Sequence, residues 1–281
     1  MLVSAEQSAR AYFLQCGNSI IQPKNPDHAV AEILYMFFNR RSCVEEPFTD
    51  RVNRVIVDAM AAQGTTVGVD PIPHIPVRHF IAPRGLDLSH SSYIIMDGRY
   101  YCFLYIKANG YPSTVRGGWM SSLINAGEGI DVDVHLSREN RSKTIDKVAQ
   151  RIRLNRTKLK GMQDTSTDYE ELTNSMQAGY FIKHGIANHN EDLFYMSVFV
   201  TVSAKTYEEL LWRKQRMIDM LKSMDMYLSD CRFQQEQALR SVMPFLQVSP
   251  KLLKKTQRNV LTSGAASTYM FTSFEMSDDS G

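Results

Sequence analysis

The feature that most constrains the fold of this chain is a strand-like segment, residues 193–202, with apolar side chains on both of its faces. Tyr195 and Phe199 lie on one face of such a strand, and Val198 and Val200 lie on the other. Because apolar side chains on both faces must be shielded from water, this pattern is typical of the interior of a sheet. The sequence therefore predicts a central strand here.

Two further strand patterns, at 92–96 and 99–107, flank the dipeptide Asp97-Gly98. A two-residue hairpin turn needs positive φ at both positions, which makes Asp-Gly a strong hairpin signal. Residues 130–136 alternate polar and apolar, as a half-buried strand does. With the intervening helical periodicities, the order is ββ–α–β–αα–β–α–β. This order predicts an α+β fold: a mixed sheet with helices mainly on one face and ferredoxin-like character.

Prolines divide this pattern from the start of the chain. Residues 71–76 contain three prolines, which fit neither a helix nor a central strand, so we interpret them as an extended linker. Residues 1–70 then form a helical N-terminal region, with one helix beginning at Pro26 and a second ending at Gly64. The α+β domain spans 77–245. Residues 246–281 are interpreted as a connector of helix and strand, with a last strand pattern at 269–276.

Composition narrows the class of protein. The chain has 281 residues, of which 43% are hydrophobic and 22% charged, so wholesale disorder is excluded. No apolar run approaches the roughly 18–20 residues that span a bilayer, and no signal-peptide pattern begins the chain, which favours a cytoplasmic location. The cysteines show no paired spacing and are interpreted as reduced thiols. They are Cys16, Cys43, Cys102 and Cys231.

The sequence contains none of the common catalytic motifs. It has no phosphate-binding G-x-x-x-x-G-K-[ST] loop, no strand-linked G-x-G-x-x-G, no H-E-x-x-H and no G-x-S-x-G. Gly117-Gly118 is interpreted as a turn before a short helix at 119–125. We therefore expect this chain to have no enzymatic activity of its own, no cofactor and no nucleotide affinity tighter than millimolar.

The most uneven charge distribution lies in residues 137–160, which hold nine basic and two acidic residues in a chain whose net charge is +2. Ser137 is predicted to cap a long helix over this segment. Its buried stripe, turned towards the sheet, consists of Ile145, Val148, Ile152 and Leu159. The basic residues, which are the candidate docking face, are Arg138, Arg141, Lys143, Lys147, Arg151, Arg153, Arg156, Lys158 and Lys160.

Such a face has several interpretations. It can follow nucleic-acid phosphates or anionic lipid head groups, dock on an acidic surface of a partner protein, or simply be solvated. No aromatic side chains are interleaved with the charges, which argues against stacking on single-stranded bases. We favour docking on an acidic protein surface, with DNA or anionic lipid as the alternative.

Two histidine-containing groups are candidate metal ligands. Asp131, Asp133 and His135 share the polar face of one predicted strand, where two carboxylates and an imidazole can hold a divalent cation. The solvent side of a half-buried strand explains the same pattern, and we favour that explanation. His184 and His189 flank a predicted loop at 185–188, and their spacing does not favour a shared metal. No metal site is therefore predicted.

Three segments resemble a known family. Residues 78–110, the Phe38-Asn39-Arg40-Arg41 helix end, and above all residues 261–281 are similar to the N-terminal half of conjugation ATPases. These are the traffic ATPases of type IV secretion systems (VirB/TraE/CagE class), in the branch found on Gram-positive conjugative elements. The resemblance covers most of residues 27–281. In that family, a run of small residues and a strand ending in glycine lead into the motor domain and its Walker A loop.

The resemblance implies a role outside catalysis for this segment. The parent protein would hydrolyse ATP with Mg²⁺ in a motor domain beyond residue 281, to power conjugative transfer. This part would contact inner-membrane channel components, neighbouring subunits and its own motor domain, at the cytoplasmic face of the cell membrane. No catalytic residue of the family can be placed on this chain. Rival hypotheses are a nucleic-acid-binding module acting through the basic helix and a metal-dependent nuclease built on Asp131 and Asp133.

Overall fold

The computed structural model describes residues 26–39, 46–83, 85–112, 114–160 and 167–268. The described residues up to Pro83 form one compact unit, and those from Gly85 onward form a second. The first unit thus extends past the proline-rich segment at 71–76. The predicted strand at 269–276, the helix end at Arg40-Arg41, Cys16 and Cys43 lie outside the described residues.

The first unit is helical, as its sequence predicts. It contains helix α1 (Pro26–Asn39), helix α2 (Phe48–Ala62) and the short helix α3 (Arg78–Ile81). The Arg51 guanidinium donates hydrogen bonds to the carbonyls of His79 and Ala82, at 3.3 and 3.2 Å, and so ties α2 to α3. The proline-rich residues 71–76 between these helices have no regular secondary structure.

The second unit contains one seven-stranded sheet and seven helices within its described residues. The strands are β1 (Leu86–Asp87), β2 (Ile94–Met96), β3 (Arg99–Ile106), β4 (Ile130–Arg138), β5 (Leu193–Ala204), β6 (Leu228–Asp230) and β7 (Arg258–Leu261). The helices are α4 (Ser121–Ile124), α5 (Arg141–Leu159), α6 (Thr167–Asn188), α7 (Tyr207–Lys222), α8 (Gln235–Val242), α9 (Pro250–Thr256) and α10 (Thr262–Ala266). This arrangement confirms the α+β class.

The strand order is β1-β2-β3-β5-β4, with β6 paired to β3 and β7 paired to β5. Every pairing among the described strands is antiparallel, so the expectation of a mixed sheet is wrong. The cause is visible between β4 and β5. Two consecutive helices, α5 and α6, connect these strands and return the chain to the end of the sheet that it left, whereas a single crossover helix would have made the strands parallel.

The hairpin and the central strand are confirmed. Asp97 and Gly98 have φ of 49° and 78° and join β2 to β3. Strand β5 pairs with β4 along one side, and its other side is shared by β3 and β7. Strand β7 was not predicted, because its four residues carry only two apolar side chains. Residues 258–261, assigned to a connector from sequence, therefore belong to the same sheet.

Helices cover both faces of the sheet, which corrects the expectation that they lie mainly on one. On one face, Leu104, Val198 and Val200 pack with apolar residues of α4 and α7 in the main hydrophobic core. On the opposite face, the Ser197 hydroxyl meets the Thr256 hydroxyl of α9 at 2.8 Å. Helix α8 also lies on that side, where the Ser241 backbone hydrogen-bonds to the His135 side chain of β4. Apolar residues on both faces of β5 require cover on both faces.

Gly129 and Gly98 allow a matched test of this packing. Both have φ of 78°, but a Cβ at Gly98 would meet nothing within 4 Å, whereas one at Gly129 would overlap the Ser203 carbonyl oxygen. We expect Gly98→Ala to lower the free energy of unfolding by about 1–2 kcal/mol, the cost of a left-handed alanine. Gly129→Ala should cost about 2 kcal/mol more, because the backbone must also shift.

Urea unfolding followed by tryptophan fluorescence measures both variants, since Trp119 and Trp212 both lie in the second unit. Equal losses of stability in the two variants would contradict the close packing of Gly129 against β5.

The two described thiols give a second prediction. Cys102 and Cys231 are free and buried, and burial raises the pKa of each thiol to about 12. Because the thiolate is the reactive form, neither should react with an aromatic disulfide reagent at about pH 8 until denaturant is added. Thiol titration followed by peptide mapping checks this, and modification of either cysteine in the folded protein would show that the sheet is more open than described.

Candidate docking surface

Helix α5 begins later than its sequence suggests. Ser137 and Arg138 continue β4, and the residue that caps the helix is Asn140, whose side-chain oxygen accepts a hydrogen bond from the Lys143 N–H at 3.2 Å. The predicted Ser137 cap is therefore wrong. Strand β5 is long enough to hold β4 extended as far as the Arg138–Phe194 pair, so Asn140 is the first capping side chain free of the sheet.

The inward stripe of α5 is confirmed, but its partner differs from the expected one. Ile152 is buried, and Ile145, Val148 and Leu159 are partly buried. A Cβ on Gly179 of α6 would lie 2.9 Å from the Ile152 side chain, so the glycine allows the two helices to approach closely. The stripe thus packs mainly on α6. Among the described residues, Ile145 also packs in a cluster with Leu193 of β5 and Leu261 of β7.

Three of the nine predicted basic residues have partners within the protein. Arg138 lies on β4, not on the helix, and its guanidinium is 2.7 Å from the Asp192 carboxylate. Arg141 turns inward and donates hydrogen bonds to the Ile186 carbonyl and the Asn190 side chain of the following segment. Lys147 remains exposed but pairs with Glu139 at 2.9 Å, which raises the pKa of the lysine.

The other six basic side chains are exposed and form no ion pair with any residue that the structure describes. Together with Lys147 they constitute what we call the basic surface: Lys143, Lys147, Arg151, Arg153, Arg156, Lys158 and Lys160. Asp146 is the sole acidic residue of α5. Arg153 also lies 3.4 Å from the Ala149 carbonyl of its own helix, and this weak contact leaves its charge available.

The basic surface consists of two rows along the helix. Residues three or four apart are neighbours on a helix, so Lys143, Lys147, Arg151 and Lys158 form one row and Arg153, Arg156 and Lys160 form the other. Leu154 lies within the first row, between Arg151 and Lys158, and is 55% exposed. Counting charges along the sequence identified the basic residues but not this leucine, because an apolar residue off the buried stripe has no distinguishing pattern.

The first histidine-containing group lies on a face of the sheet that is not fully exposed to solvent. Asp131, Asp133 and His135 lie on one face of β4, as predicted, but this face is partly covered. His135 packs edge-on against Phe199 and hydrogen-bonds to the Ser241 backbone, and its partial burial lowers its pKa. The described residues contain no group of three or more side chains placed to hold a metal ion.

His184 and His189 are closer than their predicted loop implied. Residues 185–188 continue helix α6 instead of forming a loop, and the two imidazole rings lie 5.0 Å apart. The helix continues because Ile186 is fully buried against Leu193 and Leu261, so packing outweighs the helix-breaking tendency of Gly185.

Comparison of the sequence with models of known protein families and with curated proteins gives no match. None of the described helices is both long enough and apolar enough to cross a bilayer.

The contrast between Arg141 and the basic surface gives a prediction about stability. Arg141→Ala removes hydrogen bonds to a carbonyl and an amide, and should lower the free energy of unfolding by about 1.5–3 kcal/mol. The triple variant Arg151→Ala, Arg153→Ala, Arg156→Ala removes three exposed charges and should change it by about 1 kcal/mol or less. Urea unfolding compares the two. A triple variant that loses more stability than Arg141→Ala would assign these arginines to the fold.

Proposed function

We propose that this chain is a non-catalytic docking module of a conjugative-transfer (type IV secretion) ATPase. In this proposal the module joins the motor, whose ATP and Mg²⁺ sites lie outside the chain, to inner-membrane channel components and neighbouring subunits. The module then works in the cytoplasm, peripheral to the inner face of the cell membrane. The resemblance of residues 78–110 and 261–281 to such ATPases motivates the proposal.

The observation that carries the docking role is the basic surface itself. Like charges three or four residues apart on a helix repel by about 0.2–0.5 kcal/mol per pair, and the described part of the chain offers six of these side chains no ion-pair partner. An anionic partner would relieve this repulsion.

Leu154 favours a protein as that partner. Protein interfaces place apolar contacts at the centre of a patch and charged groups around it, and arginine is enriched there. Leu154 between Arg151 and Lys158 has this arrangement. Phosphate backbones offer the leucine no comparable contact. We therefore take an acidic protein surface with an apolar centre as the partner and duplex DNA as the alternative.

The test replaces Arg151, Arg153 and Arg156 by alanine in the native gene and measures the frequency of DNA transfer between cells. We expect transfer to fall at least about ten-fold, the effect of losing about 1.4 kcal/mol of binding, while the amount of protein is unchanged. The matched control replaces Lys222, Lys251 and Lys254, which are exposed residues of other helices, and removes the same charge. Equal transfer by the two variants would contradict a docking role for α5.

A binding measurement distinguishes DNA binding from docking on a protein. Fluorescence anisotropy with a labelled duplex of about 20 base pairs, at several salt concentrations, reports phosphate contacts through the slope of affinity against salt. Micromolar binding with a steep slope that the triple variant abolishes would replace protein docking by DNA binding. We expect weak DNA binding, which the triple variant and its control variant should reduce by equal amounts.

A further inference from the structure

Strand β4 lies at an edge of the sheet and leaves a row of backbone groups open. Its register with β5 is continuous from Ile130–Val202 to Arg138–Phe194. The Ser203 N–H donates to the Gly129 carbonyl at 2.7 Å, and the Glu139 N–H donates to the Leu193 carbonyl at 2.9 Å. Odd-numbered residues of β4 therefore point their N–H and C=O groups towards β5.

The even-numbered residues point their backbone groups the other way, out of the sheet. These five residues are Ile130, Val132, Val134, Leu136 and Arg138. Within the part of the chain that the structure describes, no strand pairs with this edge and no backbone group bonds to it. A long edge of this kind is a template for another strand.

We propose that β4 pairs antiparallel with β4 of a second copy of this chain, in a register centred on Val134, and so joins two sheets into one. This register places each outward-pointing residue opposite another: Val134 faces its own equivalent, Val132 faces Leu136, and Ile130 faces Arg138. All the open N–H and C=O groups of the five residues are then paired across the two-fold axis.

The side chains of the strand select both the partner and the register. On the polar face, the register centred on Val134 places Asp133 of each copy opposite His135 of the other, and Asp131 opposite Ser137. Moving the centre to Val132 would place Asp131 opposite Asp133. Moving it to Leu136 would place Asp133 opposite Glu139. Like charges directly opposite each other destabilise an antiparallel pair, so both neighbouring registers are disfavoured.

The side-chain pattern of β4 is therefore complementary to that of a second, antiparallel β4. An acid on one side of the centre faces a histidine on the other, and the two-fold axis repeats the pair. The apolar face matches as well, because Val132 and Leu136 become neighbours and Leu136, which is 48% exposed in the single chain, gains an apolar contact. The proposed contact involves β4 and not the basic surface of α5, so it stands or falls separately from the proposed function.

The test is a charge exchange at the Asp133–His135 pair, followed by sedimentation velocity of the 281-residue chain. We expect the unaltered chain to pass from monomer to dimer between about 1 and 100 μM. Asp133→Lys removes the carboxylate that faces His135, and His135→Glu places a glutamate opposite Asp133. Each variant alone should raise the dimer dissociation constant about ten-fold, because the two-fold axis counts every lost contact or repulsion twice.

Mixing the two variants distinguishes an interface from a folding defect. In a mixed pair, the lysine introduced in one variant faces the glutamate introduced in the other, and the remaining contact is the original His135–Asp133 pair. The heterodimer should therefore regain the affinity of the unaltered chain. Asp131→Lys, which faces Ser137, is the matched control and should change the dissociation constant less than about three-fold, which corresponds to about 0.65 kcal/mol. Circular dichroism checks that all variants are folded.

Two results would overturn the proposal. One is a chain that remains monomeric at about 100 μM. The other is a dimer whose dissociation constant is the same in Asp133→Lys, His135→Glu and their mixture, which would place the contact on another surface.

Discussion

The structure depends on the burial of β5 on all sides. This strand pairs with β4 along one edge and with β3 and β7 along the other, and ten of its twelve residues are buried. Its apolar side chains on one face pack against α4 and α7, and the opposite face is covered by α9 at Ser197 and by α8 beside His135 of the neighbouring strand. A strand that is covered on both faces and both edges contributes to every layer of its unit, so the other elements are positioned relative to it.

The sequence predicts elements well where the signal is local. The Asp97-Gly98 turn follows from the backbone conformation of two adjacent residues. Features set by distant partners were missed. Strand β7 exists because β5 has a free edge beyond β3, and residues 185–188 stay helical because Ile186 packs on Leu261. The two apolar faces of β5 already implied helices on both sides, which the element order alone had not suggested.

The same division applies to the candidate site. Counting charges identified a basic helix, but only side-chain directions separate the residues that belong to the fold from those that are available. Arg141 anchors α5 to the end of α6, Arg138 pairs with Asp192 and Lys147 pairs with Glu139, whereas the other six basic side chains form no ion pair in the described structure. Leu154 adds an exposed apolar side chain to the basic surface, which a count of charges cannot reveal. Composition alone would have treated all nine cations as equivalent.

The end of β4 sets the direction in which the basic surface faces. Each residue of a helix turns by about 100°, so the residue at which α5 begins fixes which side chains meet α6. Pairing with β5 holds the chain extended to Arg138, and the Asn140 cap starts the helix just beyond it. Had Ser137 been the cap, the helix would begin three residues earlier. Each side chain would then be rotated by about 300°, close to one full turn, and displaced by about 4.5 Å along the helix axis. Ile152 would then no longer meet Gly179, the glycine of α6 that permits its close approach. The length of β5 thus determines the open edge of β4, the packing of α5 on α6, and the exposure of the two basic rows.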